Sequence, residues 1–205
     1  MTDGKTACHN RMSKYISQSN FSIIREELSE AGASAYECFP VTDVIFSGSS
    51  DLRGKNAVSE KYILRCPQND KNSMLLIKES SMGNKIKEII QPISFDTATR
   101  IIQRSTKWLC TSLSPLIREL GVKMTTNRLA PDTVMSFERE CFVMDNRLRI
   151  TADSHIALSE YDGSGMLCTA GNVSDPVDMN VCLLQINYER IIPENILSII
   201  GMKVK

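Results

Sequence analysis

Apolar positions recur along this chain at two spacings, and the change from one to the other marks out the elements. After a polar stretch of about eight residues, residues 10–17 read as a strand. Phe21, Ile24 and Leu28 then share one helical face, with Ser19 or Asn20 placed to cap it and Gly32 to stop it. Residues 41–46 alternate as a strand and run into a glycine- and serine-rich turn at 47–50. Residues 61–66 and 74–79 have the composition of a hairpin around the turn-rich stretch 67–72. A second turn, Met82–Gly83–Asn84, leads into a short strand over 85–90.

The middle of the chain changes period. Ser94 is placed to cap a helix from near Phe95, with Ile101, Ile102, Leu109 and Leu113 as its apolar stripe. Ser114–Pro115 resembles a new helix start, with proline at the first position. Strand patterns return at 134–143, 148–157 and 181–188, separated by a loop-like segment at 161–178, and Pro193 opens a final short helix over 194–200. Strands around a helical insertion in one continuous pattern predict a single α+β domain with a mainly antiparallel sheet. Residues 1–9 read as a flexible tail and 10–205 as the domain.

Several strands carry polar groups on one face throughout. Arg147, Arg149, Thr151 and Asp153 alternate with Leu148, Ile150 and Ala152; Gln185 and Asn187 oppose Leu184, Ile186 and Tyr188. Lys61 and Arg65 share a face, and Lys78 alternates with Ile77. Two readings fit this pattern. In one, a sheet has a core face and a solvated face. In the other, a closed barrel has a polar interior on which Lys14, Lys61, Arg65, Lys78, Arg139 and Arg149 converge to hold a polyanion. Arg139 and Arg149 also have acidic neighbours for ordinary pairing in Glu138, Glu140, Asp145 and Asp153.

Composition narrows the field. With 42% hydrophobic and 23% charged residues the chain has the balance of a folded domain. No apolar run approaches the roughly 18 to 20 residues that span a bilayer, and the first ten residues lack the pattern of a signal peptide. The 24 basic and 24 acidic residues cancel, which argues against non-specific coating of nucleic acid, and no specific nucleic-acid partner is expected. The balance is uneven along the chain: residues 1–128 hold 18 basic against 13 acidic side chains, residues 129–205 hold 6 against 11. Seven cysteines, with no C-x-x-C pair, fit neither a disulfide framework nor a zinc site and point to a reducing, cytoplasmic setting. His9 falls in the tail and His155 stands alone, so no nucleophile–histidine pair is indicated and no catalytic residue is assigned. Trp108 with Arg100, Arg104 and Lys107 reads as a solvated helix face around one ring.

The order of segments resembles the polyphosphate-polymerase domain of the vacuolar transporter chaperone (VTC) group, within the triphosphate-tunnel (CYTH-like) superfamily. The likeness is carried by SKYIS before a helix, VIFSGSSDLRGKN, EKYILRC, LLIKESSMGNKIK, SFERECF followed by NRLRITADSHI, and LLQINYERIIPENI. It implies an antiparallel tunnel barrel with flanking and inserted helices, whose basic lining grips a phosphate chain while carboxylates hold a divalent metal. Lys14, Arg65, Lys78, Arg139 and Arg149 match its phosphate-binding positions; Lys61, Lys85 and Lys87 align more loosely.

The departures fall on the acidic positions. Met12 and Leu76 stand where glutamates are usual, Gln185 replaces the closing strand's glutamate, Asn187 its lysine, and Ile63 interrupts the basic strand. Magnesium and manganese want anionic oxygens. The resemblance with these losses implies a degenerate polymerase-like tunnel. It would bind polyphosphate or a nucleoside triphosphate through Lys14, Lys61, Arg65, Lys78, Lys87, Arg139 and Arg149, with no metal site and no metal-dependent catalysis. Two other readings stand beside it. One is an active divergent polymerase or triphosphatase using Mn or Mg, with Asp153, Glu138 or Glu189 supplying the metal site. The other is a scaffold whose barrel is structural, with contacts through the Trp108 helix or the 161–178 loop. A membrane-protein or homologous-subunit partner is also implied by the resemblance.

Overall fold

The computed structural model describes residues 4–48, 59–67, 73–144, 148–163 and 181–201. The segments read as turns at 67–72 and as a loop at 161–178 lie largely outside the described residues, as do Asp145 and Arg147. The strands are β1 (Lys5–Ser17), β2 (Ser34–Ser47), β3 (Ser59–Pro67), β4 (Met74–Met82), β5 (Lys85–Ile93), β6 (Ala130–Met144), β7 (Leu148–Glu160) and β8 (Val181–Tyr188). They close into one antiparallel barrel in the order β1-β5-β4-β3-β2-β6-β7-β8.

Closure depends on β1 having two partners. Residues 5–10 pair with β5 and residues 10–17 pair with β8, so one strand satisfies the hydrogen-bonding groups of both. The boundary read from the sequence at residue 10 is therefore corrected: Lys5–His9 belong to the barrel wall. Their polar composition hid this, because this half of β1 lies under neither helical layer and has no apolar face to bury.

Among the described residues five helices cover the outside: α1 (Gln18–Glu30), α2 (Phe95–Ile102), α3 (Thr106–Cys110), α4 (Pro115–Thr126) and α5 (Glu194–Ile200). Ser94 and Ser114 cap α2 and α4 as their sequence predicts, while α1 takes Ser17, just before the expected cap. Ile24 and Leu28 of α1 and Ile196 and Ile200 of α5 pack on Ile16, Phe142, Ile150, Leu184 and Ile186. Helices α2–α4 cover the other flank, burying Ile101, Leu109, Leu120 and Met124 against Val44, Leu64, Met74 and Leu76. The stripe from Ile101 to Leu113 is not one helix. Arg104, at φ 55°, breaks it between α2 and α3, and Leu113 is 75% exposed. The backbone of α3 lies so close to α4 that a Cβ on Gly121 would come within 2.8 Å of the Cys110 nitrogen, which is why that helical position is glycine.

Because the helices bury the outer face, the inward face is fixed by parity. Residues directly opposite in a ladder share a face. Val44, Tyr62, Leu76 and Ile150 are outside, so Asp43, Lys61, Arg65, Glu79, Glu88, Arg139, Arg149, Thr151 and Asp153 point inward. A bulge in β7 opposite Phe137, with His155 at φ 50°, inserts an extra residue and turns both Asp153 and Ile156 inward. Val41, Phe137 and Ile156 form a small apolar cluster inside the barrel.

Candidate functional site

The barrel interior gathers charged side chains from strands that are distant in sequence. Arg139 and Asp153, opposite each other on β6 and β7, form a bidentate pair with both bonds at 2.6 Å, and the guanidinium lies 4.8 Å from the Phe137 ring centroid. Arg65 on β3 makes a second fork to Asp43 on β2, at 2.8 and 2.7 Å. Burial alone would favour neutral Arg65, but Asp43 more than offsets it and raises the pKa.

A third group forms around Arg11. Its Nε donates to Asn187 Oδ1 at 2.9 Å, Nη1 to Glu79 Oε1 at 2.9 Å and Nη2 to Glu88 Oε1 at 2.5 Å. Glu79 and Glu88 face each other across β4 and β5. Burial would raise the Glu79 pKa, yet Arg11 holds it below the ordinary carboxylate value. His9 points into the same region with Nε2 buried, unbonded and 3.9 Å from Glu88; burial lowers its pKa against that carboxylate's pull. Thr151 Oγ1 is likewise buried without a partner, on a residue 3% exposed.

The seven cations singled out in the sequence divide by face. Lys61, Arg65, Arg139 and Arg149 point inward. Among the described residues, neither Lys61 nor Arg149 is in an ion pair, although Lys61 stands opposite Glu79 and favours its charged form; Arg149, exposed on this face, donates to Cys141 Sγ at 3.6 Å. Lys14, Lys78 and Lys87 are outside, so the expected convergence of Lys14 and Lys78 with the others is corrected. Lys14 lies opposite Leu184 on the helix-covered face, and its Nζ donates to the carbonyl of Gly201 at 3.1 Å, where a cation complements the end of α5. Lys78 bridges Glu119 at 2.6 Å and Glu60 at 2.8 Å, under α4, beside the Tyr62 hydroxyl that donates to Glu119 at 2.7 Å. Lys87 is exposed on the outer face, opposite Cys8 and Ser80.

Arg11, His9, Asp43, Glu79 and Glu88 are interior residues that the sequence reading passed over. The interior is accordingly not stripped of carboxylates: Asp43, Glu79, Glu88 and Asp153 nearly balance the inward cations. Each of these acids is engaged by a guanidinium, and among the described residues no three His, Cys, Asp or Glu side chains are grouped to hold a divalent metal. Of the acids considered for that role, Glu138 is exposed on the outer face. Trp108, read as part of a basic helix face, packs against the α2–α4 core with Arg100 stacked 4.9 Å from its ring centroid. The described cysteines are free thiols, and burial with neighbouring Asp153 and Glu140 pushes Cys182 up to about 12, leaving it an inert apolar group. No helix among the described residues is long and apolar enough to cross a membrane.

Comparison with known proteins places this geometry. A family model described as the VTC domain matches residues 49–201. No curated protein matches the sequence. Solved structures do: a Bacillus halodurans protein provisionally described as an adenylate cyclase is similar at TM-score 0.56 and 10% identity, over 96% of this chain and 87% of that one. A Hippeastrum protein described as having a dominant triphosphatase activity is similar at 0.56 and 13% identity, over 95% and 84%. A conserved hypothetical protein from Pyrococcus furiosus is similar at 0.55 and 11% identity, over 95% and 91%. At these identities the likeness is one of fold.

Proposed function

The chain belongs to the VTC domain family and has the triphosphate-tunnel (CYTH-like) fold, and on that premise we propose that its barrel interior binds a triphosphate- or polyphosphate-type anion without a divalent metal. The observation that carries the proposal is the convergence of Arg11, Lys61, Arg65, Arg139 and Arg149, from four strands (β1, β3, β6 and β7), on the inward face of a closed barrel. Guanidinium and ammonium groups bind phosphate oxygens directly, and guanidinium does so with two parallel donors. Lys61 and Arg149 would make the first contacts, since neither must first leave an ion pair. The description of the Hippeastrum structure as a triphosphatase supports the choice of ligand class.

The reading is of a grip rather than a phosphoryl-transfer centre. Phosphoryl transfer relies on metal and basic groups to neutralise developing charge, whereas the interior carboxylates here are committed to arginines. Calorimetric titration with long-chain polyphosphate and with ATP, first in EDTA and then with manganese, tests this. Saturable binding in EDTA with no phosphate released or polymerised is the expected result. Absence of binding under both conditions would contradict it, as would turnover that appears with manganese.

A further inference from the structure

Most of the cations that would hold an anion are already held. Every nitrogen of the Arg11 guanidinium is committed, to Asn187, Glu79 and Glu88. The two carboxylates sit directly opposite on neighbouring strands and share that one cation. An oxyanion that takes Arg11 from them leaves two like charges facing each other and facing the newcomer, in a part-buried site where water screens poorly. Something must neutralise one of them. The geometry around them does not offer a metal the three donors it needs among the described residues.

We propose that anion entry is coupled to uptake of one proton by the Glu79–Glu88 pair, which releases Arg11 to the anion. This deepens the anion-binding reading and rests on it. The proton comes from solvent and forms an O–H on one carboxyl, which the other, within hydrogen-bonding reach, accepts as a shared bond. The charged and titratable groups facing the pair are His9 and Arg11 from β1, Lys61 and, through its field at Glu79, Arg65 from β3, and Arg149 from β7, with the amide of Asn187 from β8. Two further observations mark the interior as built for a guest: the buried hydroxyl of Thr151 and the buried Nε2 of His9 both lack a partner.

The sign of the pH dependence follows from the two states. Without anion, Arg11 keeps Glu79 below its ordinary pKa; with Arg11 withdrawn and an anion nearby, the pair holds a proton more tightly. Between the two values binding takes up a proton, so affinity rises as pH falls. The probe is long-chain polyphosphate, whose internal groups keep their charge across the range. Its affinity for the wild-type protein should rise by up to about tenfold per pH unit from about pH 8 towards about pH 5. Calorimetry in buffers of different ionisation enthalpy should count close to one proton taken up. Glu88→Gln should bind at least about tenfold more tightly at pH 8 and lose the slope, while His9→Gln keeps it. Binding that is flat with pH, takes up no proton and is not tightened by Glu88→Gln overturns the coupling alone. A slope that vanishes in His9→Gln and persists in Glu88→Gln overturns it too, by moving the proton to the imidazole. No binding by any of these proteins at any pH overturns the anion-binding reading beneath it.

Discussion

Replacing Asp153 with alanine should lower the melting temperature by on the order of 10 °C, the largest loss of stability expected from a single interior substitution. Asp153 is 1% exposed and its partner Arg139 7%. Both carboxylate oxygens accept from that guanidinium. Removing the carboxylate leaves a buried, charged guanidinium beside Phe137 without the partner that both of its donors used. A buried charge stranded in this way costs about 3–5 kcal/mol, and each kcal/mol moves the midpoint by about 2–4 °C in a chain of this size. The exposed pair of Arg100 with Asp96 should by contrast contribute less than about 1 kcal/mol. Combining Asp153→Leu with Arg139→Met removes both charges and should recover most of the loss, because an apolar replacement escapes the desolvation cost that the pair carries. Thermal unfolding followed by circular dichroism distinguishes the cases. A midpoint for Asp153→Ala within about 2 °C of wild type would mean the pair is not buried as described.

Lys61→Ala together with Arg149→Ala should weaken polyphosphate binding by at least about 100-fold, since each charge-assisted hydrogen bond is worth about 1.5–3 kcal/mol. These two inward cations are in no ion pair among the described residues, so their loss strands no buried charge and the double variant should fold. Lys78→Ala is the informative control. It removes one positive charge, against two in the double variant, from the outer face, where Lys78 ties β4 to α4 through Glu119 and to β3 through Glu60. It should cost about 2 kcal/mol of stability while leaving affinity within about twofold of wild type. A loss of affinity from Lys78→Ala as large as that from Lys61→Ala or Arg149→Ala alone would mean that only the overall charge of the protein is being read.

The elements were legible in the sequence where both of their faces have distinct chemistry. On β7, Arg149, Thr151 and Asp153 alternate with Leu148, Ile150 and Ala152, and the two sets do separate into inside and outside. The closing strand 181–188 and the caps at Ser94 and Ser114 were legible for similar reasons, because local patterning and turn chemistry fix them. The direction of Lys78 was not. Its strand is covered on both sides, so Leu76 outside and Ile77 inside are equally apolar, and nothing in β4 says which face a lysine joins. Only the register with Tyr62, itself pinned beneath α4, decides it.

Arg11, Glu79 and Glu88 were hidden for a different reason. Each lies at an ordinary strand position, and their meeting depends on β1 closing the barrel between β5 and β8, which no local pattern records. The family resemblance carried the fold class and the notion of an interior site, and the family match now supports both. The pairing of interior arginines with interior carboxylates needed the ladder.

The most direct test of the account follows the arginine side chains themselves. In protein labelled at arginine, the Nε–Hε signals of Arg11, Arg65, Arg139 and Arg149 can be assigned by single substitutions and followed as polyphosphate is added in EDTA. The account predicts saturable shifts at Arg149 and Arg11 above all, with Arg25, Arg100 and Arg118 on the outer helices unchanged. Shifts confined to the outer arginines, with the four interior signals still, would contradict it.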